Sequence, residues 1–270
     1  MHHRFAVIGN PIQHSLSPMI HQQFAEQFEH QIDYQKQKLE PDHLNSWVMH
    51  FFKNGGCGLN VTLPFKTLAF ELAKNRTDDA MRAQAVNTLW FSNGELFGDN
   101  TDGRGLIHDL KRHLVLKDMN ILVLGAGGAA KGIIPALLLE KPKALTVANR
   151  TFSKACDLQQ QFKDIEVANI KALQGVYDLV INSTSMGLNG EWIDLTQELW
   201  QNAPFCYDLV YNLEENTPFV ENALAHHCQA QDGLGMLVEQ AAESYLIWQG
   251  VKPDVDSVLI ALKKGLNHRA

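Results

Sequence analysis

Short runs of aliphatic and β-branched residues alternate along this chain with longer stretches whose apolar positions recur every three or four residues. That rhythm predicts strands alternating with helices, the mark of α/β architecture. In the first third, Phe5–Ile8 reads as a strand, Pro18–Phe28 as a helix, Asp33–Lys38 as a strand and Leu44–Lys53 as a helix. Gly58–Leu63 follows as a strand running into a helix from Pro64. Thr88–Phe91 and Glu95–Gly98 flank Ser92-Asn93-Gly94, and Asn-Gly between strand-like runs predicts a hairpin. From Asn120 the alternation is regular: strand Ile121–Leu124, helix Ala129–Leu139, strand Leu145–Ala148, helix Ser153–Phe162. Strands Leu179–Asn182 and Cys206–Val210 come next, and helices Met236–Gln249 and Val255–Leu266 close the chain. A boundary between two domains is expected near Asn100–Gly105, with a helix bridging the halves.

The pattern places one glycine-rich turn where it carries chemistry. Gly125-Ala126-Gly127-Gly128-Ala129-Ala130 has the form G-x-G-x-x-A, directly after a predicted strand and before a predicted helix. Gly125 permits the tight turn, Gly127 lets backbone approach a pyrophosphate, and small Ala130 keeps helix and strand close. The pyrophosphate then meets the free N–H groups and positive dipole of the helix N-terminus. The end of the second strand reads the ribose 2′ substituent, and a site for NAD usually carries Asp or Glu there. Here it carries Asn149-Arg150-Thr151, followed by Lys154. With no carboxylate to repel a 2′-phosphate, and Arg150 offering a planar charged fork, the cofactor expected is NADP.

The first half holds polar residues that a bland fold does not require. Ser17 reads as a helix N-cap with Pro18 in the first helical position, but capping does not account for Ser15, and paired hydroxyls there also suit a carboxylate. Strand alternation puts Asn60 and Thr62 on one face and Leu59, Val61 and Leu63 on the other. With Lys66, they line either a pocket for a hydroxylated ligand or a half-exposed edge strand. Asp102 is either a helix cap or a catalytic carboxylate, and Asn87 either a turn residue or a ligand.

Composition narrows the partners. Hydrophobic residues make up 45% and charged residues 20% of the 270, as in ordinary globular proteins. A net charge of −7 argues against a nucleic-acid or anionic membrane partner, since both select concentrated positive charge. No stretch approaches the roughly 18 consecutive apolar residues of a membrane helix. The N-terminus lacks the apolar core of a secretion signal, and the four cysteines are widely spaced without a C-x-x-C pair. A cytoplasmic enzyme with reduced thiols and no metal is expected.

Taken together, the chain resembles the shikimate dehydrogenase family from end to end. The resemblance is carried by Gly9-Asn10-Pro11-Ile12 with Ser15-x-Ser17-Pro18, by Asn60-Val61-Thr62-x-Pro64-Phe65-Lys66, and by Ala85-Val86-Asn87-Thr88. It continues through Gly98-Asp99-Asn100-Thr101-Asp102-Gly103, the glycine turn, Asn149-Arg150-Thr151, Asn182-Ser183-Thr184-Ser185, and Asp232-Gly233-Leu234-Gly235-Met236 with Gln240-Ala241-Ala242. It implies an N-terminal α/β substrate domain (1–101 and 237–270), a Rossmann-type doubly wound NADP domain (102–236), and a cleft between them. The implied reaction is reversible NADPH reduction of 3-dehydroshikimate to shikimate, on the route to chorismate and the aromatic amino acids.

The resemblance further implies that Ser15 and Ser17 hold the substrate carboxylate. Asn60, Thr62, Asn87, Tyr211 and Gln240 take its hydroxyls, and Lys66 and Asp102 form the catalytic pair. Asp78, Gly125, Ala126, Gly127, Gly128, Ala129, Asn149, Arg150, Thr151, Lys154, Thr184, Leu209, Gly233 and Met236 are the implied cofactor residues. Leu209 stands where many members have Met, a swap of similar volume. A monomer or homodimer is expected. The nearest alternatives are a quinate/shikimate dehydrogenase of broader range and a non-catalytic NADP-binding regulator.

Overall fold

The computed structural model describes residues 3–184 and 195–267, so Ser185 of the quoted motifs lies outside them. The chain divides into two compact units, one of Met1–Leu106 with Leu237–Lys264, the other containing Ile107–Met236.

The first unit opens with β1 (His3–Gly9), α1 (Ser17–Gln27), β2 (Ile32–Lys38), α2 (Leu44–Lys53) and β3 (Gly56–Val61). It continues through α3 (Lys66–Leu72), β4 (Asn75–Arg76), α4 (Asp78–Ala83), β5 (Thr88–Ser92) and β6 (Glu95–Asp99) to α5 (Asp102–Leu110). The strands form one mixed sheet in the order β2-β1-β3-β5-β6-β4, with β1 parallel to both neighbours and β5 antiparallel to β3 and β6. Its core gathers Ile8, Val48, Leu59, Val61, Phe65 and Leu89, each nearly or fully buried. Side chains of this kind each contribute about 1.5–3 kcal/mol on burial.

Several expectations need correction. The β5–β6 turn has two residues, not three: Ser92 pairs with Glu95, and Asn93 (φ 51°) and Gly94 (φ 80°) both adopt positive φ, as a type I′ hairpin demands. β3 ends at Val61, so the alternation stops there and Leu63 is 64% exposed instead of facing the core. β3 also lies between β1 and β5, which removes the edge-strand reading of Asn60. The helix expected from Pro64 begins at Lys66.

The second unit runs β7 (Asn120–Leu124), α6 (Gly128–Leu139), β8 (Ala144–Asn149), α7 (Phe152–Gln161), β9 (Glu166–Asn169) and β10 (Leu179–Asn182). Then come α8 (Gln197–Trp200), β11 (Phe205–Asp208), α9 (Pro218–Ala225) and β12 (Ala230–Gln231). All six strands are parallel, in the order β12-β11-β10-β7-β8-β9. This is the Rossmann strand order, and it reverses direction between β7 and β10, where such sheets bind ligands beyond their strand C-termini. Parallel strands covered on both faces should read as continuous apolar runs, and Ile121-Leu122-Val123-Leu124 and Leu179-Val180-Ile181 are fully buried.

Two helices close the chain, α10 (Leu234–Gln249) and α11 (Val255–Asn267), and Leu237–Lys264 belongs to the first unit. There Trp248 donates its indole N–H to the Leu89 carbonyl (3.2 Å), and Gln27 bonds the Asp254 backbone. Gly58 makes this approach feasible, because a Cβ on it would fall 2.3 Å from the Trp248 ring. Gly105 does the same for α5 and α10, since its Cβ would lie 2.7 Å from the Gln240 backbone nitrogen.

Candidate active site

In the first unit, the ends of β3, β5 and β6 and the starts of α3 and α5 bring polar side chains together. Lys66 is the first residue of α3 and Asp102 the first of α5. The Lys66 ammonium donates to Asp102 Oδ2 at 2.5 Å, with side chains 20% and 8% exposed. The other carboxylate oxygen accepts from Asn87 Nδ2 at 2.8 Å. Asp102 is therefore no simple helix cap: both of its oxygens are held by side chains distant in sequence.

Asn87 is no mere turn residue either. It is buried, and its amide nitrogen also donates to Thr101 Oγ1 (2.9 Å) and Gln240 Oε1 (3.3 Å), while its Oδ1 accepts from Thr101 N–H and the Thr88 hydroxyl. The Asp99–Asp102 segment is anchored from behind. Arg104 bonds Asp99 (2.6 Å) and Glu243 (3.2 Å), and also pairs with Asp79. Desolvation works against its charge, but Asp99 and Asp79 outweigh that and hold the guanidinium protonated.

Asn60 is buried beside this group. Its amide nitrogen donates to the Asn87 carbonyl (3.1 Å), Ser244 Oγ (3.0 Å) and Thr88 Oγ1 (3.3 Å), and its Oδ1 accepts from the Tyr34 hydroxyl (2.6 Å). Ser17 does not cap α1. Leu16 occupies the cap position without a side-chain bond, and Ser17 is a buried first helical residue whose N–H meets Ser15 Oγ (3.3 Å). The Ser15 hydroxyl donates to Ser17 Oγ (3.1 Å). Thr62 is half-buried just beyond β3. Ser15, Ser17, Asn60, Lys66, Asn87, Asp102 and Gln240 are thus joined into hydrogen-bonded groups within one unit. The pattern gave no sign of Tyr34, Thr88, Thr101 or Ser244, which bond to them.

In the second unit, the glycine turn joins β7 to α6. Gly125 has φ +106°, and a Cβ there would sit 2.7 Å from Ser183 Oγ, so the backbone and its neighbour from β10 both require glycine. Gly127 caps α6, and a Cβ on Gly127 or Gly128 would meet nothing within 4 Å. The backbone at the start of α6 therefore has room beside it, while Ala130 is fully buried. Asn149, half-buried at the end of β8, donates to the Thr151 carbonyl (2.8 Å); Arg150, Thr151 and Lys154 are exposed there. These features fit a dinucleotide bearing a 2′-phosphate.

On the far side of the switch point, Thr184 bonds Asn182 Oδ1, and Leu209 follows β11 with its N–H on the Asn182 carbonyl (2.9 Å). Gly233 abuts the Leu209 carbonyl so closely that a Cβ would lie 2.4 Å from that oxygen. The Met236 N–H meets the Tyr207 hydroxyl (3.2 Å), which itself donates to buried Asp109 (2.6 Å). Tyr211 is half-buried. Asp78 lies in the first unit at the start of α4, 91% exposed and paired with Arg82. Among the described residues no cluster of His, Cys, Asp and Glu could hold a metal ion. No described helix is long and apolar enough to cross a membrane.

A Rossmann sheet with a glycine turn at its switch point, joined in one chain to an α/β unit holding a lysine–carboxylate pair, is the architecture of a dinucleotide-linked dehydrogenase. Family models narrow the class: the shikimate dehydrogenase substrate-binding domain matches residues 7–89, shikimate/quinate 5-dehydrogenase 109–189, and the shikimate 5′-dehydrogenase C-terminal domain 233–263. A shikimate dehydrogenase (NADP(+)) of Legionella pneumophila (strain Lens) is 52% identical over 260 residues, covering 96% of this chain and 98% of that one. One from Alkalilimnicola ehrlichii is 48% identical over 266 residues, covering 96% and 98%. The crystal structure of shikimate 5-dehydrogenase from Thermus thermophilus in complex with NADP(H) and shikimate superposes with a TM-score of 0.86 at 31% identity, covering 98% of this chain and all of that one. The chain belongs to the shikimate dehydrogenase family.

Proposed function

We propose that this chain catalyses the reversible NADPH-linked reduction of 3-dehydroshikimate to shikimate. The observation that carries the reading is the Asp102 carboxylate, held by Asn87 on one oxygen and by Lys66 at 2.5 Å on the other, in a chain of this family. Carbonyl reduction adds hydride to carbon and a proton to oxygen, converting C=O to CH–OH. Bound NADPH supplies the hydride; the protein supplies orientation and the proton. Lys66 presents its ammonium to the carbonyl oxygen and gives up the proton as the alkoxide forms, and Asp102 holds Lys66 in place. In the oxidative direction the same pair receives the proton.

Ser15 and Ser17 take the substrate carboxylate, and Asn60, Thr62, Asn87, Tyr211 and Gln240 its hydroxyls. Gly125, Ala126, Gly127, Gly128 and Ala129 hold the pyrophosphate, with Asn149, Arg150, Thr151 and Lys154 around the 2′-phosphate. Thr184, Leu209, Gly233, Met236 and Asp78 complete the cofactor site. Residues 1–101 with 237–270 act as the substrate domain and 102–236 as the NADP domain, in a cytoplasmic monomer or homodimer.

Oxidation of shikimate and of quinate, each with NADP⁺ and with NAD⁺, tests this. Shikimate with NADP⁺ should give the highest kcat/KM by at least about tenfold, a discrimination of about 1.4 kcal/mol. Comparable rates with quinate would support the broader enzyme that the shikimate/quinate family model also describes. Cofactor binding with no turnover of any pair by folded protein would make the chain a binding protein. Replacing Arg150 by Ala should raise KM for NADP⁺ and leave NAD⁺ nearly untouched; equal effects would remove Arg150 from the phosphate.

A further inference from the structure

Tyr34 lies on β2, where neither the pattern nor the family motifs drew attention, yet its hydroxyl stands between two of the proposed substrate residues. It donates to Asn60 Oδ1 at 2.6 Å and is also hydrogen-bonded to Ser17. The direction of each bond follows from chemistry. The Asn87 backbone carbonyl can only accept, so the Asn60 amide nitrogen must face it and Oδ1 must face Tyr34. Oδ1 can only accept, so the Tyr34 proton goes to Asn60. Toward Ser17 the phenol oxygen is then left as an acceptor.

The ring that carries this hydroxyl is packed against two others. Tyr34 is in register with Phe5 of β1, their rings 6.3 Å apart and 22° from parallel. Its other neighbour is His21 of α1, stacked at 4.5 Å and 17°. His21 in turn packs against Trp248 (5.3 Å) and Tyr245 (6.1 Å). Burial pushes the His21 imidazole down to about 3, so this partner stays neutral near neutral pH and brings no charge to the carboxylate end of the pocket. A tyrosine side chain has two rotatable angles, and stacking fixes both.

We infer that Tyr34 is a positioning residue for the substrate: its hydroxyl fixes the amide of Asn60 and the hydroxyl of Ser17 before shikimate arrives. Without it, Asn60 Oδ1 loses the hydroxyl that bonds it at 2.6 Å and Asn60 keeps His21 beside it, while Ser17 loses its acceptor, so both must reorganise on binding. The cost falls on affinity and not on hydride transfer, because Tyr34 bonds neither Lys66 nor Asp102. This inference rests on the proposed function, and turnover by the parent protein in the same assay separates a failure of one from a failure of the other.

The experiment is a double-mutant cycle of Tyr34→Phe and Asn60→Ala, read as shikimate KM, kcat, NADP⁺ KM and thermal midpoint. Tyr34→Phe should raise shikimate KM about two- to tenfold, the worth of one neutral hydrogen bond, with kcat and NADP⁺ KM within about twofold. In the Asn60→Ala background the same change should have less than about half that effect on a logarithmic scale, because its main route is gone. A shikimate KM unchanged by Tyr34→Phe overturns the inference, as does full additivity of the two substitutions. A fall in thermal midpoint with kcat and both KM values moving together also overturns it, since that is a purely structural role.

Discussion

The two halves of the candidate site are built from different material. In the first unit the groups are buried and half-buried side chains, from Ser15 to Gln240, that satisfy one another: Asn87 alone bonds Thr88, Thr101, Asp102 and Gln240. In the second unit the turn at Gly125–Gly128 offers backbone, and the side chains beside it, Arg150 and Lys154, are exposed. A side-chain network fixes chemistry and is costly to interrupt, because each lost partner leaves a buried polar atom unpaired. A backbone cradle fixes shape, tolerates almost any side chain around it, and fails only where a Cβ intrudes. The proposed reacting groups should therefore be sensitive to what a residue is, and the proposed cofactor turn to how much space it takes.

The largest effect should come from the network. Lys66→Ala removes the proposed proton donor and leaves Asp102 without its ammonium. We expect kcat to fall by about 10²–10⁴, the usual worth of positioned acid–base catalysis, with shikimate KM changed by no more than about fivefold. Steady-state kinetics in both directions would check it. A large rise in KM with kcat preserved would make Lys66 a binding group and place the proton elsewhere.

This contrast also governs what could be read from sequence. The turn was legible from physics because each position has a steric reason visible in the letters: Gly125 at positive φ, small Ala130 against the strand. Element bounds were legible where periodicity is strong, as in Leu44–Lys53, which forms a helix over that range. Two short strands were not: β9 is no shorter than β10 but is exposed or half-buried and lacks its apolar run, and β12 has only two residues. Two helices had signals that went unread. Thr77 and Thr217 each accept an N–H three residues on, ahead of Asp78-Asp79 and Pro218 respectively, as N-caps do. The polar network was only half legible: the pattern left Asn60, Asn87 and Asp102 each with two readings, since they acquire meaning from contacts separated by up to 184 residues, as between Asn60 and Ser244.

The turn supplies a second, intermediate effect, and two of its glycines should behave oppositely. Gly125→Ala forces a Cβ at φ +106° against Ser183, so stability should fall by roughly 1–3 kcal/mol whether or not cofactor is present. Gly127→Ala meets no protein atom and no positive φ, so the thermal midpoint should hold while KM for NADP⁺ rises about tenfold or more, as a methyl group displaces the pyrophosphate from the backbone. If Gly127→Ala binds NADP⁺ as the parent does, the pyrophosphate does not lie over this turn. Loss of stability in both variants would mean that the turn is a structural element alone.

The smallest effect separates the units by pH. Burial pushes His21, in the first unit, down to about 3, and raises Asp208, in the second, to about 6, although Thr217, Val210 and Asn182 all donate to the Asp208 carboxylate. Between about pH 6.5 and 4.5 an unfolded histidine takes up a proton that folded His21 refuses, so acidification destabilises the fold through it by about 2 kcal/mol. Over nearly the same range folded Asp208 takes up a proton while an unfolded aspartate, near 3.8, does not, so acidification stabilises the fold by about 2 kcal/mol. In the parent chain the two contributions oppose each other. Urea unfolding of His21→Phe should therefore become more resistant than the parent toward about pH 4.5, and that of Asp208→Asn less resistant, with the other carboxylates cancelling in each difference. Curves that stay parallel to the parent from about pH 7 to 4.5 would show that neither group keeps its unusual protonation in the folded chain. Divergence of only one would assign the pH response to a single unit, and with it the side of the comparison on which buried ionisable groups matter.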